Sequence, residues 1–417
     1  MDDDSLIQKR DALAAVRIPE YRNLLLGRFS FIMGLRMLST VVGWWVYELT
    51  DDPFAIGLVG LSEFVPAFLF ALYAGHVIDV SEKRGLLLKG VAAYFTCAVA
   101  LLFLSSSYTS SKMSNQWIAY CIYGVIFISG IVRSFTGPIF QTMIANIVPR
   151  NTLQNATAWS QGTWLSASVS GHAIGGLLIA SLGIHNTFIV IVCLVAMGFY
   201  FLSHVKKKPP VLSEVPTRTW TSVMEGLQFV FRTKELLGAI TLDLFAVLFG
   251  GAVALVPVYA RDILKVGAQG FGFLNAAVDI GAIISVIILT AYPLAGGQGR
   301  KLFYAVAGFG VCIIVFGVSK IYWISFLVLL LAGVLDGISV VIRGTIMQLK
   351  TPDHVRGRVM SVNSMFVNSS NELGQFESGA MARVMGVQPS VVFGGVMTLL
   401  VVIITWIKAP GLRKMQY

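Results

Sequence analysis

Ten ionisable side chains lie inside long apolar stretches of this sequence: the acids Glu63, Asp243, Asp279, Asp336, Glu372 and Glu377, and the bases Arg28, Arg36, Arg133 and Arg343. At the centre of a membrane-crossing helix each would cost roughly 2.5–3.5 kcal/mol on an insertion scale. Such groups are expected to line an aqueous cavity or to pair across helices, because an uncompensated buried charge is strongly unfavourable. Two kinds of chemistry are open to them. A carboxylate can take up and release a proton, which removes its charge, and acids and bases can form ion pairs that orient helices.

Depth along the helices ranks them. At about 1.5 Å per residue, Arg36, Arg133, Asp279, Asp336 and Glu372 fall nearest the middle of their apolar runs, while Arg28, Asp243 and Arg343 lie nearer one end and read as structural pairs or gates. Asp336 and Arg343 share a face of one helix at seven residues' spacing, too far apart for a direct bond. Asp279 and Glu372, with Glu63 next, are the candidates for proton exchange, and the alternative for each is a fixed pair with Arg36 or Arg133. Asn363, Asn368, Ser369, Ser370 and Asn371 cluster beside Glu372, where they contact either substrate or neighbouring helices. Trp164 is a candidate cavity wall, and Trp44 and Trp45 read as membrane-interface residues.

The elements that carry these residues follow from composition. The 417 residues are 56% hydrophobic and 12% charged, against about 25% charged for a soluble domain, and mean hydropathy is +0.77. A soluble fold would have too few polar residues to cover its surface. A spanning helix needs about 20 mostly apolar residues. Twelve such runs are predicted, at 23-48, 55-78, 85-105, 116-147, 153-181, 184-204, 236-259, 270-293, 302-318, 321-349, 359-384 and 388-408. An all-α membrane protein with two pseudo-symmetric six-helix bundles is expected: residues 1-204, a linker at 205-235, and residues 236-417.

Net charge is +10, and the position of the cations explains it. Of 31 Lys and Arg, 22 fall on the side shared by the termini, 5 on the opposite side and 4 within the runs. Cytoplasmic loops carry this excess, so both termini are expected in the cytoplasm, in a multi-pass protein of the inner (plasma) membrane. The cations are dispersed between apolar segments, which argues against a nucleic-acid partner. The start of the chain lacks an apolar h-region, so no cleaved signal peptide is expected. Cys97, Cys121, Cys193 and Cys312 are far apart inside apolar runs and read as reduced packing residues. In the linker, Trp220, Val223, Leu227, Val230 and Phe231 have helical spacing, which fits either a helix on the membrane surface or a solvated connection. The halves also resemble each other, since Val148-Pro149-Arg150-Asn151-Thr152-Leu153 and Thr351-Pro352-Asp353-His354-Val355-Arg356 occupy matching loops.

Enzyme motifs are lacking. No GxxxxGK[ST], no strand followed by GxGxxG, no HExxH and no GxSxG occurs, so no enzyme, cofactor or metal site is expected, and any active transport must draw on an existing gradient. The 41 glycines are better explained by close helix packing in lipid.

The most specific motif is Gly75-His76-Val77-Ile78-Asp79-Val80-Ser81-Glu82-Lys83-Arg84, between the second and third runs. Its GxxxDxxxKR spacing resembles the signature loop of the major facilitator superfamily, which implies a conformational latch at Gly75, Asp79, Lys83 and Arg84. Four further stretches are similar to the branch of siderophore and macrolide exporters: Leu58 to Arg84, Thr351 to Val359, Leu242-Asp243-Leu244-Phe245 and Asn371-Glu372-Leu373-Gly374. Exporters of the superfamily often carry Gly-Pro before Gly-Gly in the fifth span. Here the stretch reads Gly171-His172-Ala173-Ile174-Gly175-Gly176, and His172 is either a titrating group or a packing residue.

The resulting expectation is a secondary transporter that exports an amphipathic small molecule by proton antiport and alternating access, working as a monomer in the lipid bilayer. Asp279, Glu372, Glu63 and His172 are its proton-coupling candidates, and Arg36, Arg133, Asn368, Asn371 and Trp164 its substrate-cavity candidates. A proton-coupled importer or lysolipid transporter of the same fold is the first rival, and a membrane sensor or scaffold that moves nothing is the second.

Overall fold

The computed structural model describes residues 13–208, 219–292 and 296–416. Among them there is no strand, and fifteen α-helices follow in order. These are α1 (Pro19–Thr50), α2 (Pro53–Val80), α3 (Lys83–Leu104), α4 (Ser107–Lys112), α5 (Asn115–Ile147), α6 (Leu153–Ser203), α7 (Thr219–Arg232) and α8 (Lys234–Phe249). Then come α9 (Val256–Val258), α10 (Gly267–Ala291), α11 (Gln298–Val318), α12 (Tyr322–Lys350), α13 (Asp353–Met385), α14 (Val387–Lys408) and α15 (Pro410–Arg413).

Local chemistry sets several of the boundaries. Asp51 closes α1 in the left-handed conformation (φ 51°), the Asp52 carboxylate accepts from the Phe54 N–H at 2.9 Å, and Pro53 opens α2. Glu82 caps α3 by accepting from the Gly85 N–H at 2.9 Å.

The 51 residues of α6 would extend about 76 Å if straight, far beyond a hydrocarbon core of about 30 Å. Gly183, at φ 79° and ψ 172°, turns the helix back on itself in a conformation that a side chain would strain. The neighbours of α1 trace this reversal. Tyr21 donates to the Ala156 carbonyl, Arg28 bonds Ser160, and Arg36 touches Gly171, all on the outgoing arm. Trp45 then meets Phe188, Gly34 meets Val195, and Gly27 meets Leu202 on the returning arm. The runs 153-181 and 184-204 are therefore two passes of one helix. Because α1 is enclosed between them, Trp45 is only 6% exposed. It is a core residue, contrary to the interface position expected for it.

Ten helices among the described residues are long and apolar enough to cross a membrane, with α6 as one of them. The run 359-384 is not among the ten because its helix, α13, carries Asn363, Asn368, Asn371, Glu372 and Glu377. Still, its 33 residues carry Arg358, paired with Glu225 of α7, near one end and Arg383, 3.7 Å from Asp52 just before α2, near the other. The linker contains a helix, α7, whose Val230 is buried while Phe231 is exposed.

The apolar cores show where the two halves of the chain meet. One is built from α1 to α6 and takes only Ala268 from the second half. A second, near the face that carries the chain ends, draws on α7, α8, α11 to α15 and Met415 just beyond α15. A third, at the far face, mixes Tyr47 and Ile56 with Leu255, Val256, Phe271 and Leu274. The halves thus share apolar packing at the far face.

Asp243 of α8 and Arg343 of α12 pair directly, with side chains 6% and 5% exposed. Removing one member of such a pair costs about 3–5 kcal/mol, whereas replacing both by apolar residues is often neutral. Asp243→Leu is therefore expected to lower the thermal unfolding midpoint in detergent strongly, and the double variant Asp243→Leu/Arg343→Met to recover most of the loss. Additive losses in the double variant would contradict this account.

Candidate functional site

Two groups of mid-span residues come together where the halves face each other. In the first, Arg133 of α5 places Nη1 at 2.5 Å from Glu63 Oε1 of α2 and at 2.8 Å from Glu372 Oε1 of α13. Gly130, one turn before Arg133, lies against the Glu63 backbone and brings α2 and α5 close enough for the contact. The Gln375 amide donates to Glu372 Oε2 at 3.3 Å. One arginine thus ties a carboxylate of the first half to a carboxylate of the second.

The second group joins α1, α6 and α10. Asp279 Oδ2 accepts from the Ser168 hydroxyl at 2.7 Å and lies 3.7 Å from His172 Nε2. His172 Nδ1 is 2.8 Å from the Thr40 hydroxyl, which itself donates to the Arg36 carbonyl at 3.0 Å. Arg36 has no ion pair among the described residues. Its guanidinium stands over the Trp164 ring, 5.2 Å from the centroid.

Both groups lie beneath a seal at the far face. A Cβ on Gly176 of α6 would sit 2.5 Å from the Gly272 Cα of α10, and one on Gly379 of α13 would sit 2.9 Å from the Gly57 Cα of α2. Only glycine permits backbones to approach this closely. Polar contacts complete the seal: Tyr47 donates to Asp262, Arg261 pairs with Asp51 at 2.7 Å, Arg383 approaches Asp52 at 3.7 Å, and Trp44 stacks on Phe271. A depression of about 600 Å³, bordered by Trp44, Glu48, Arg261 and Lys265, lies outside this closure.

Toward the face with the chain ends the surroundings open. Arg133 keeps 40% of its side chain exposed although it holds two carboxylates, while Glu372 is 8% exposed. From these charges, exposed polar or small residues run along three helices: Gly137 and Gln141 on α5, Asn371, Asn368 and Ser364 on α13, and Gln161, Thr157 and Gln154 on α6. Side chains of this kind do not face lipid. They leave a row of exposed polar positions on α5, α6 and α13 leading from the charged groups toward the face with the chain ends.

Thus Glu63, Arg133 and Glu372 converge, as do His172, Asp279, Arg36 and Trp164, while Asn368 and Asn371 stand along the opening. The Asn371 amide donates to the Val367 carbonyl of its own helix. On the motif loop, Arg84 donates to the Ser203 carbonyl at 2.5 Å and so joins α3 to the end of α6, and Lys83 lies at the start of α3. Gly75 and Asp79 are on α2, and their surroundings are outside the described residues. Sequence reasoning missed Thr40, Ser168 and Gln375, which carry no signal as isolated polar residues. It also missed the outer pairs, although two of the few cations on the cation-poor side, Arg261 and Arg383, are the ones that meet Asp51 and Asp52.

Known proteins agree with this architecture. A family model described as a transmembrane secretion effector matches residues 11–416. The enterobactin exporter EntS of Shigella flexneri is 24% identical over 349 residues, covering 82% of this chain and 80% of that protein. EntS of Escherichia coli O81 (strain ED1a) is 24% identical over 353 residues, with the same coverage. Among solved structures, a bacterial homologue of the iron transporter ferroportin in an inward-facing state superposes with TM-score 0.73 at 14% identity, over 96% of this chain and 99% of that one. The human organic anion transporter MFSD10 gives 0.65 at 15% identity, over 94% and 99%.

If the glycine contacts close the far face, Gly176→Leu should hold α6 and α10 apart. In a background with the four cysteines replaced by serine, Ser168→Cys should then react severalfold faster with a membrane-impermeant maleimide added from the far side. Unchanged labelling would mean that the seal lies elsewhere.

Proposed function

This chain belongs to the transmembrane secretion effector family of the major facilitator superfamily, and on that premise we propose that it exports an amphipathic small molecule in exchange for protons by alternating access. It is a multi-pass membrane transporter related to an enterobactin exporter. The proposal adds the direction, the coupling ion and the residues. It takes residues 1-204 and 236-417 as two six-helix bundles joined by the 205-235 linker, making twelve crossings as a monomer in the inner membrane bilayer, with both termini cytoplasmic. The polar opening then faces the cytoplasm.

The observation that carries the reading is the tie from Glu63 through Arg133 to Glu372 at mid-depth, beneath a closed far face and above an open polar passage. Opening the far face must separate α13 from α2 and α5, and this breaks the contact between Arg133 and Glu372. An unpaired carboxylate in a low-dielectric setting is costly, so the state open to the far side needs compensation for that charge. Substrate contacts supply it on the way out, and a proton taken from the far side supplies it on the return. When the bundles close again, Arg133 recovers Glu372 and the proton leaves toward the cytoplasm. Each cycle moves substrate out and a proton in.

Asp279, with His172 and Ser168, is the second exchangeable position, where α6 meets α10. Arg36, Trp164, Asn368 and Asn371, with Arg133, form the substrate-facing surface. Gly75, Asp79, Lys83 and Arg84 act as the latch at the cytoplasmic end.

The experiment uses the compound that builds up in cells lacking the gene, presented to membrane vesicles of both orientations under an imposed proton gradient. Export predicts accumulation in inside-out vesicles with an acidic interior, together with dissipation of the gradient. Glu372→Gln and Asp279→Asn should each abolish gradient-driven accumulation while leaving downhill exchange. Accumulation in right-side-out vesicles instead would indicate an importer, and no flux in either orientation would indicate a sensor or scaffold.

A further inference from the structure

The depression of about 600 Å³ outside the far-face closure takes no part in the transport cycle above. Its walls come from both halves of the chain: Trp44 and Glu48 on α1 and Gly183 at the turn of α6 face Arg261, Lys265 and Gly267 of the connection into α10. Two glycines keep it open. Gly183 and Gly267 have φ of 79° and 66°, where a side chain is disfavoured, and a Cβ on either would meet nothing within 4 Å.

The depression carries opposite charges that are not used within the protein. Glu48 of the first half and Lys265 of the second both border it, both are exposed, and neither has a hydrogen-bond or ion-pair partner among the described residues. Arg261 differs, because it is paired with Asp51 at 2.7 Å and stands over the Tyr47 ring.

The backbone at Lys265 is a second, independent sign. A π-helical turn at Tyr259–Ile263 ends with the Leu264 N–H donating to the Tyr259 carbonyl at 2.7 Å and the Val266 N–H to the Ala260 carbonyl at 2.8 Å. Between them Lys265 is left-handed, at φ 54°. Glycine is the usual residue for that conformation at a helix end. A lysine where glycine fits better points to a task for its ammonium.

Depth narrows the ligand. Glu48 is in the last turn of α1, Gly183 is at the reversal of α6, and Gly267 opens α10, so the depression lies level with helix ends, where lipid headgroups begin. Leu182, next to Gly183, is 49% exposed, and this carries apolar surface suited to acyl chains up to the rim. Its volume suits a small polar group. A plain anion would meet Lys265 but be repelled by Glu48, and a plain cation would meet the reverse. A molecule with both charges satisfies both. Because an ionised carboxylate only accepts hydrogen bonds, the positive end is best a primary ammonium, and Lys265 is a charge-assisted donor to a phosphate oxygen.

We propose that this depression binds the headgroup of an aminophospholipid, with its ammonium on Glu48 and its phosphodiester on Lys265, and that the bound lipid ties the two halves together at the far face. The site requires only that the chain crosses a membrane, so it goes beyond the export reading and stands apart from it.

The test is lipid retention by the purified full-length protein, read by native mass spectrometry with phosphatidylethanolamine, phosphatidylcholine and phosphatidylglycerol of identical acyl chains. Phosphatidylethanolamine should be held about tenfold more tightly than the other two, the size expected for one charge-assisted hydrogen bond. Glu48→Gln should remove this preference. Lys265→Gly should remove it too, without lowering the thermal unfolding midpoint, since glycine is at ease at that φ. Gly176→Leu, which parts α6 from α10, should weaken it by separating the two walls. Unfolding midpoints of all three variants guard against a folding defect. Equal retention of the three lipids, or the wild-type preference in Glu48→Gln or Lys265→Gly, overturns the proposal. Displacement of the lipid by an equal concentration of glycerophosphoethanolamine would make the ligand a soluble zwitterion and overturn the lipid assignment. An unchanged preference in folded Gly176→Leu would overturn the bridging of the halves.

Discussion

The contact of Arg133 with Glu63 and Glu372 is the constraint around which the rest of the structure is arranged. One guanidinium serves two carboxylates from opposite halves of the chain, so the halves cannot separate at the far face without leaving a charge unpaired. A pair within one half would only stiffen that half, as Asp243 and Arg343 do. On the proposed mechanism, a pair between halves makes the protonation of one carboxyl and the relative position of the bundles parts of the same equilibrium. The exposure of Arg133 fits this role, because a contact that must open and re-form needs access to water.

The glycine contacts make the constraint effective. Gly176 against Gly272 and Gly57 against Gly379 bring backbones together just beyond the two charged groups, so the far face closes by direct helix contact. Around them, Tyr47, Asp51 and Asp52 reach Asp262, Arg261 and Arg383 across the same boundary. The two ion pairs among them, Arg261 with Asp51 and Arg383 with Asp52, are more exposed than Glu372 and are correspondingly weak. At the opposite end the described residues form separate apolar cores, one from the first half and one from the second half and the linker.

His172 shows how one stretch can serve packing and chemistry together. Gly171 admits α1, Gly176 admits α10, and between them His172 spans Thr40 and Asp279. The glycines bring three helices near enough that a single imidazole reaches two of them, which a bulkier stretch could not do.

The sequence by itself determined the membrane as solvent, the helical class and the set of costly charges, because hydropathy and the price of ions in lipid act locally and can be read run by run. The superfamily was legible from the loop at Gly75 to Arg84 together with the number of apolar runs. Only the tertiary structure decided which charges meet. Arg133 and Glu372 are 239 residues apart, and Ser168 and Asp279 are 111 apart, so no local pattern could join them. It also showed that α1 is enclosed between the two arms of α6, which moved Trp45 from the expected membrane interface into the core. Apolar periodicity reports that a helix is buried, but not against which partner. That depends on where glycines let backbones approach and on which acid each arginine can reach once they have.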